Sequence, residues 1–297
     1  MRKIVIGLLT RVSGNVNANE MEGDRIRIKK LVSTDGETYP FVSARAIKRG
    51  IREKLMEWGF EVDPFRIGEG EKLADKGDPI KYVDNDLFGY LYIKANKQTP
   101  RMSPISMSPL IAVKHTPIEI DFGGRFPREV GEQNPTPFEI EIADFVGLMK
   151  VVVTERCGIF NETEKTDQLK KWDEYAREDL VEIVKKGDKQ EYKLKEDERI
   201  RRVSAFLEIL LNEGWAYPRR ANYFTMAEHV SAIIYCGEKL YPIWKNFNEN
   251  YQFTQPNISI QQQEKLFGPY NLKNQSVSKE DIQKMTTWLV TGKWEGK

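Results

Sequence analysis

Residues 3–12, KIVIGLLTRV, carry an apolar run from Ile4 to Leu9 that only Gly7 interrupts. The run is rich in β-branched residues and short, the pattern of a buried strand. Thr10 and Arg11 end it before a signal-peptide core forms, and nothing elsewhere approaches a membrane span, so a cytoplasmic protein with no membrane partner is expected. At 297 residues and 34.5 kDa the chain is long enough to bury a full core, as one elaborated domain or as two.

Further along, residues 13–24 (SGNVNANEMEGD) read as a loop. Residues 25–32 (RIRIKKLV) alternate basic and apolar side chains, as in a strand with one cationic face. Ser43 is placed to cap a helix from Ala44 to Trp58, stopped by Gly59. Ile47, Ile51, Leu55 and Trp58 form its buried face, and Arg45, Lys48, Arg49 and Arg52 form a second, cationic stripe. From 59 to 140 regular signals fade, apart from a short aromatic strand at Leu87–Lys94. A connection of that length is uncommon in a compact domain and is usually functional or mobile. Residues 138–143 and 145–154 read as a central pair of strands. Asp167–Lys186 reads as a surface helix, and Ile200–Leu211 as a helix stopped by Gly214. Ala232–Cys236 reads as a strand, the Gln/Asn-rich 252–275 as a loop, and Ser278 as the start of a terminal helix. That order fits an α+β, ferredoxin-like sheet with excursions.

The two cysteines, Cys157 and Cys236, form no CxxC pair and read as reduced core residues. Two histidines, His115 and His229, are too few for a His/Cys zinc site, and no metal or other cofactor is expected. General acid–base catalysis would then fall to carboxylates or lysines. Carboxylates are plentiful, but no spacing marks a catalytic pair, and the glycines near 68–70 and 123–124 form no phosphate-binding loop. The net charge of +1 comes from 46 basic and 45 acidic residues, so only their distribution can reveal an anionic partner.

Four segments carry such a distribution. The stripe Arg45, Lys48, Arg49 and Arg52 has cations at the density phosphate binding needs, though a solvated helix face looks the same. Asn15, Asn17 and Asn19 alternate just after the first strand, with Arg11 before them. Their amides suit phosphate, ribose or base edges, and equally ordinary turn chemistry. Arg101, Ser103, Ser106 and Met107, with Lys114 and His115, mix cations, hydroxyls and a polarisable side chain, as in a strand-tracking segment or a proline-stiffened loop. Arg219, Arg220 and Asn222 stand beside Tyr223 and Phe224, cations next to aromatics that suit phosphates and bases, or equally a buried Tyr and Phe with two exposed arginines.

Together these segments resemble the DevR-type backbone subunits of CRISPR Cascade complexes, in CRISPR-associated family seven of the repeat-associated RNA-binding superfamily. The resemblance rests on TRVSGNVNANE (10–20), YPFVSARAIKR (39–49), DLFGY (86–90), RMSPISMSPLIA (101–112), PFEIEI (137–142) leading into GLMKVVVTERCGIF, and RRANY (219–223). It implies an RRM-like palm over 1–65 and 138–297, a finger-like insertion at 66–137 and a thumb-like one at 158–198. It implies a non-enzymatic subunit that binds the crRNA guide and stacks head to tail into a helical filament. Its partners would be neighbouring copies, other Cascade subunits and, through the guide, target DNA. On this pattern Arg11, Asn15, Asn17 and Asn19 line the palm, and the stripe on the first helix meets phosphates. Arg101, Ser103, Ser106 and Met107 face a kinked nucleotide, and Arg219, Arg220 and Asn222 complete one continuous cationic channel. The acidic Glu20, Glu22 and Asp24 fit that channel poorly and suit a contact with the neighbouring copy. The alternative is a metal-dependent ribonuclease of the same superfamily using a loop aspartate, with Asp24 and Asp35 the nearest candidates.

Overall fold

The computed structural model describes residues 1–16, 20–67, 73–94, 97–126, 136–161, 170–186, 189–215 and 226–294. The first strand, β1 (Lys3–Gly14), is followed by short strands β2 (Glu20–Glu22), β3 (Arg25–Arg27), β4 (Lys30–Val32) and β5 (Thr38–Val42), then by helix α1 (Ala44–Glu57). The long middle region holds β6 (Arg66–Ile67), β7 (Leu73–Ala74), α2 (Val83–Phe88), β8 (Tyr90–Lys94) and β9 (Lys97–Arg101). It continues with β10 (Ile105–Met107), β11 (Leu110–Ala112) and β12 (Glu119–Arg125). β13 (Thr136–Thr154) is followed by β14 (Ile159–Asn161), α3 (Lys170–Arg177), β15 (Val181–Lys186) and β16 (Lys189–Leu194). The chain ends with α4 (Glu196–Glu208), β17 (Glu228–Gly237), β18 (Lys265–Asn271) and α5 (Lys279–Thr291).

β1 and β13 are the axis of the main sheet. They pair antiparallel without interruption from Lys3 opposite Thr154 to Gly14 opposite Ala143. β17 adds to the free side of β1, and β10 and β11 add to the free side of β13, giving the order β18-β17-β1-β13-β11-β5-β4. The protein is therefore α+β with an antiparallel sheet, consistent with the RRM-like expectation.

Alternation along β1 sorts the two faces. Ile4, Ile6, Leu8 and Val12 join the core of Ile47, Ile51 and Leu55 from α1, Phe206 and Leu207 from α4, and Met285 and Leu289 from α5. Val5 and Leu9 join the opposite cluster, where Ile243, Trp244, Phe247, Tyr251 and Phe253 cover part of the sheet. Gly7 belongs to this second face. A Cβ there would come within 2.9 Å of the Trp244 Cβ and 3.2 Å of the Phe253 ring, so glycine lets the covering segment close onto β1.

Local signals held where a cap or stop decided them. Ser43 Oγ accepts from the Ala46 amide at the start of α1, and Ser278 Oγ accepts from Asp281 at the start of α5. Cys157 and Cys236 are buried free thiols in the core. Other readings change. The expected pair of strands over 138–154 is the single 19-residue β13, because β12 pairs its first half and β1 continues the ladder past Asp144. Residues 25–32 form two short strands. Leu87 and Phe88 end α2, and the strand starts at Tyr90. The helix expected over 167–186 is confined to α3, and β15 follows. β18 lies within the expected loop 252–275, as an edge strand that tolerates Pro269. Strands β10, β11 and β12, within the span 66–137, all hydrogen-bond to β13.

Residues of 158–198 make a small sheet, β14-β16-β15, with α3 against it and a core of Phe160, Trp172, Val181, Tyr192 and Leu194 around Ile80. Asp86 fastens this unit to the body. Its fully buried carboxylate takes Arg101 at 2.8 Å, Arg202 at 3.2 Å and the Gly158 amide at 2.9 Å. Arg101 also donates to the Ile159 carbonyl, and Arg202 to those of Pro79 and Ile80. Removing the carboxylate takes one anionic partner from each of two buried guanidinium groups, and Arg202 keeps Glu198 at 2.7 Å. Asp86→Ala is expected to lower unfolding stability by about 3–5 kcal/mol, read from urea denaturation.

Candidate nucleic-acid interface

On the face of the sheet opposite the helices, separate parts of the chain converge. Val146, Leu148 and Val152 pack with Val5 and Leu9, which assigns these alternate β13 positions to that face. Arg11 stands opposite Val146 and Ser106 opposite Val152, and cross-strand partners share a face. Lys150, exposed and opposite Gly7, lies between them. The Val113 amide bonds the Val146 carbonyl at 3.0 Å, which brings Lys114 and His115 to the Arg11 end. There Arg11, Lys114, His115, Asp144, Glu228 and Tyr251 line a cleft of about 850 Å³. A second trough of about 680 Å³ shares Asp144 and Glu228 and adds Ser13, Gly14 and Met226.

The charges in this cleft are paired but exchangeable. Arg11 makes a bidentate contact with Asp144, at 3.0 and 2.6 Å, with both side chains about half exposed. The hydrogen bonds and charge of Arg11 hold the Asp144 carboxyl below its usual range, and Asp144 raises Arg11 in return. An exposed pair of this kind contributes at most about 1 kcal/mol, so a phosphate can displace the carboxylate. Lys114 lies 5.2 Å from the Tyr251 ring and Lys150 lies 5.5 Å from the Trp244 ring. The exposed His115 takes the Thr38 amide on Nδ1 at 3.0 Å. His229 is not poised for proton transfer. Its Nδ1 lies 3.0 Å from Thr10 Oγ1, and burial lowers its pKa to about 4, so it is neutral at neutral pH.

The remaining sequence candidates divide three ways, and the single channel expected through all of them is not what forms. The α1 stripe lies on the helical side. Arg45 is exposed, Arg49 pairs with Glu53 at 3.2 Å, and Arg52 reaches buried Asp84 at 2.9 Å. Lys48 and Arg52 both sit over Phe88, at 5.1 and 5.0 Å. Four others point inward. Asn15 is fully buried and donates to the Glu141 carbonyl at 2.6 Å, and Arg101 is held in the Asp86 network. Ser103 Oγ lies within hydrogen-bonding distance of the Ile105 and Leu87 carbonyls, and Met107 packs on the helical core. Each was read as polar or adaptable surface, and each meets a partner distant in sequence. Asn17, Asn19, Arg219, Arg220 and Asn222 lie outside the described residues.

Sequence reading missed Lys150, Trp244 and Tyr251. The aromatics of 241–253 have no regular period, and only their shared sheet face groups them. The aspartates weighed for metal catalysis, Asp24 and Asp35, are both exposed. Among the described residues no three His, Cys, Asp or Glu side chains gather as a metal site.

Lys48 allows a direct check of burial. Loss of hydration, with Arg52 beside it, lowers its pKa from 10.5 to about 8. A lysine depressed in the folded state binds its proton more weakly there than when unfolded. Its charge therefore opposes folding below about pH 8, and that penalty fades as the pH rises toward 10.5. Lys48→Met should be more stable than the parent at pH 7, with the difference shrinking across that interval, as read from urea midpoints.

The sequence model of the DevR family, described as CRISPR-associated negative auto-regulator DevR/Csa2, matches residues 70–255. Comparison with curated proteins returns no match. Among solved structures, one chain from a CRISPR RNA-guided surveillance complex is similar with a TM-score of 0.48 at 12% identity, covering 78% of this chain and 68% of that one. Another, from a CRISPR RNA-guided surveillance complex described as pre-nicking, has a TM-score of 0.47 at 13% identity and covers 78% of each chain. With the family match spanning well over half of its length, the chain belongs to the CRISPR-associated DevR/Csa2 family.

Proposed function

We propose that this chain is a repeating backbone subunit of a CRISPR Cascade complex, and that it holds the crRNA guide along the sheet face opposite the helices without a chemical step of its own. The observation that carries this reading is the convergence of Arg11, Lys114 and Lys150 with Ser106 on one face, beside the cleft. Cations spaced along a face bind a phosphate backbone by releasing its counterions, whatever the base sequence. The guide would then read target DNA by base pairing.

Head-to-tail stacking needs one surface that projects and another that receives it. The thumb-like part was expected at 158–198, but that unit is fastened to the body through Asp86 and has its own core. The β12–β13 ribbon suits the role better. Ile120, Phe122 and Phe126 are exposed along it, the two phenylalanines by 71% and 74%. Beside it, Arg25 pairs with Glu139 at 2.5 Å, Arg27 with Glu22 at 2.7 Å and Lys30 with Glu141 at 3.2 Å. Three of the nearby cations are thus already paired, and the acidic residues that fit an RNA groove poorly flank this ribbon instead.

The salt dependence of single-stranded RNA binding tests the face. Each lost phosphate contact should flatten the log–log slope by about 0.7, so Arg11→Ala with Lys114→Ala should flatten it by about 1.4. Arg45→Ala with Arg49→Ala, on the helical side, should leave it unchanged. The reverse pattern would move the RNA to α1, and a protein that binds no RNA at low salt would reject the reading. Images of the purified particle should show a helical stack, and Phe122→Ser with Phe126→Ser should shorten it.

A further inference from the structure

We propose that Trp244 and Tyr251 are base-stacking platforms for single-stranded RNA, each held ready by a lysine that transfers to phosphate when a base takes the ring. This rests on the reading of the sheet face as an RNA surface, and assigns it contacts with bases as well as backbone.

The two rings are placed alike by different means. Trp244 packs over Gly7, where any side chain would collide with it, and lies beside Lys150, the residue opposite Gly7. Tyr251 lies beside Lys114 at the Val146 level of the same face and lines the cleft. From Lys150 to Val146 is four residues along β13, about 13 Å at strand rise. That spacing exceeds the ~3.4 Å per nucleotide of a stacked strand, so the platforms would take separate bases.

The backbone supplies an independent sign. Tyr251 has φ +58°, in the left-handed region that a bulky side chain enters only under strain. The turn that imposes this is built in detail. The Asn248 side chain accepts from the Asn250 and Gln252 amides at 3.0 and 2.9 Å, and the Asn248 carbonyl accepts from the Tyr251 amide at 3.0 Å. Phe247 stacks on Tyr251 from within the cluster, with ring centres 6.4 Å apart. Glycine is the residue this backbone favours, so an aromatic ring held there against strain at the rim of a cationic cleft points to use of the ring.

Each ring faces a lysine without forming an ion pair with it. A cation over an aromatic face in water is held weakly, so a base can replace it while the ammonium moves to the adjacent phosphate. Stacking tolerates any base, as a guide holder requires.

The test measures binding of the full chain to oligouridine and to an abasic oligomer of equal length. Trp244→Leu and Tyr251→Gly should each weaken oligouridine binding by about 5- to 150-fold while leaving abasic binding and the salt slope unchanged. Tyr251→Gly adopts the turn without steric cost, and Trp244→Phe keeps an aromatic face and should retain most of the affinity, which separates stacking from misfolding. Equal losses for both oligomers, or no loss in either variant, would overturn the platforms while leaving the backbone contacts standing. If the parent protein bound neither oligomer, both this inference and the RNA-holding reading would fall.

Discussion

The unbroken antiparallel ladder between β1 and β13 decides where everything else lies. Because side chains alternate across a strand, one register sends Ile4, Ile6 and Leu8 toward α1, α4 and α5, and turns Val5, Leu9 and Arg11 to the other face. A slip of one residue would bury Arg11 and Lys150 and expose the helical core. The register is therefore strongly specified, and the cationic face follows from the same alternation that fills the hydrophobic core.

That face is only half available, because the aromatic segment around 241–253 closes over Val5, Leu9 and Ile233. The uncovered half is the β13 side, with Lys150, Ser106 and the Lys114–His115 end of β11. The covering segment sets the boundary between the halves, so Trp244 and Tyr251 are at once part of a hydrophobic cluster and the rim of the cationic surface. Gly7 makes that approach possible.

Legibility followed locality. The caps at Ser43 and Ser278, and the stop at Gly214 after the π-helical turn Ile209–Glu213 that extends α4, need only neighbouring residues, so they could be read directly. The length of β13 could not, because β12 and β1 support successive parts of it from either side. β18 resembled a loop because Gly268 and Pro269 interrupt it, and an edge strand accepts what a central strand would reject. Among site candidates the failures share one cause. Arg101 has the composition of a phosphate contact, but Asp86 lies against it in the interior, and Asn15 is taken by the Glu141 carbonyl.

The sequence by itself determined the buried first strand, the capped helices, the α+β class and, through its ordered motifs, the DevR family. These depend on short-range periodicity, on capping chemistry and on the identity of residues in order. Only the tertiary structure decided which cations share a surface, that α1 and Arg11 stand on opposite sides of the sheet, and that distant aromatics join Lys114 and Lys150. Those outcomes depend on strand register and on long-range ion pairs, which bring together residues that no local pattern connects.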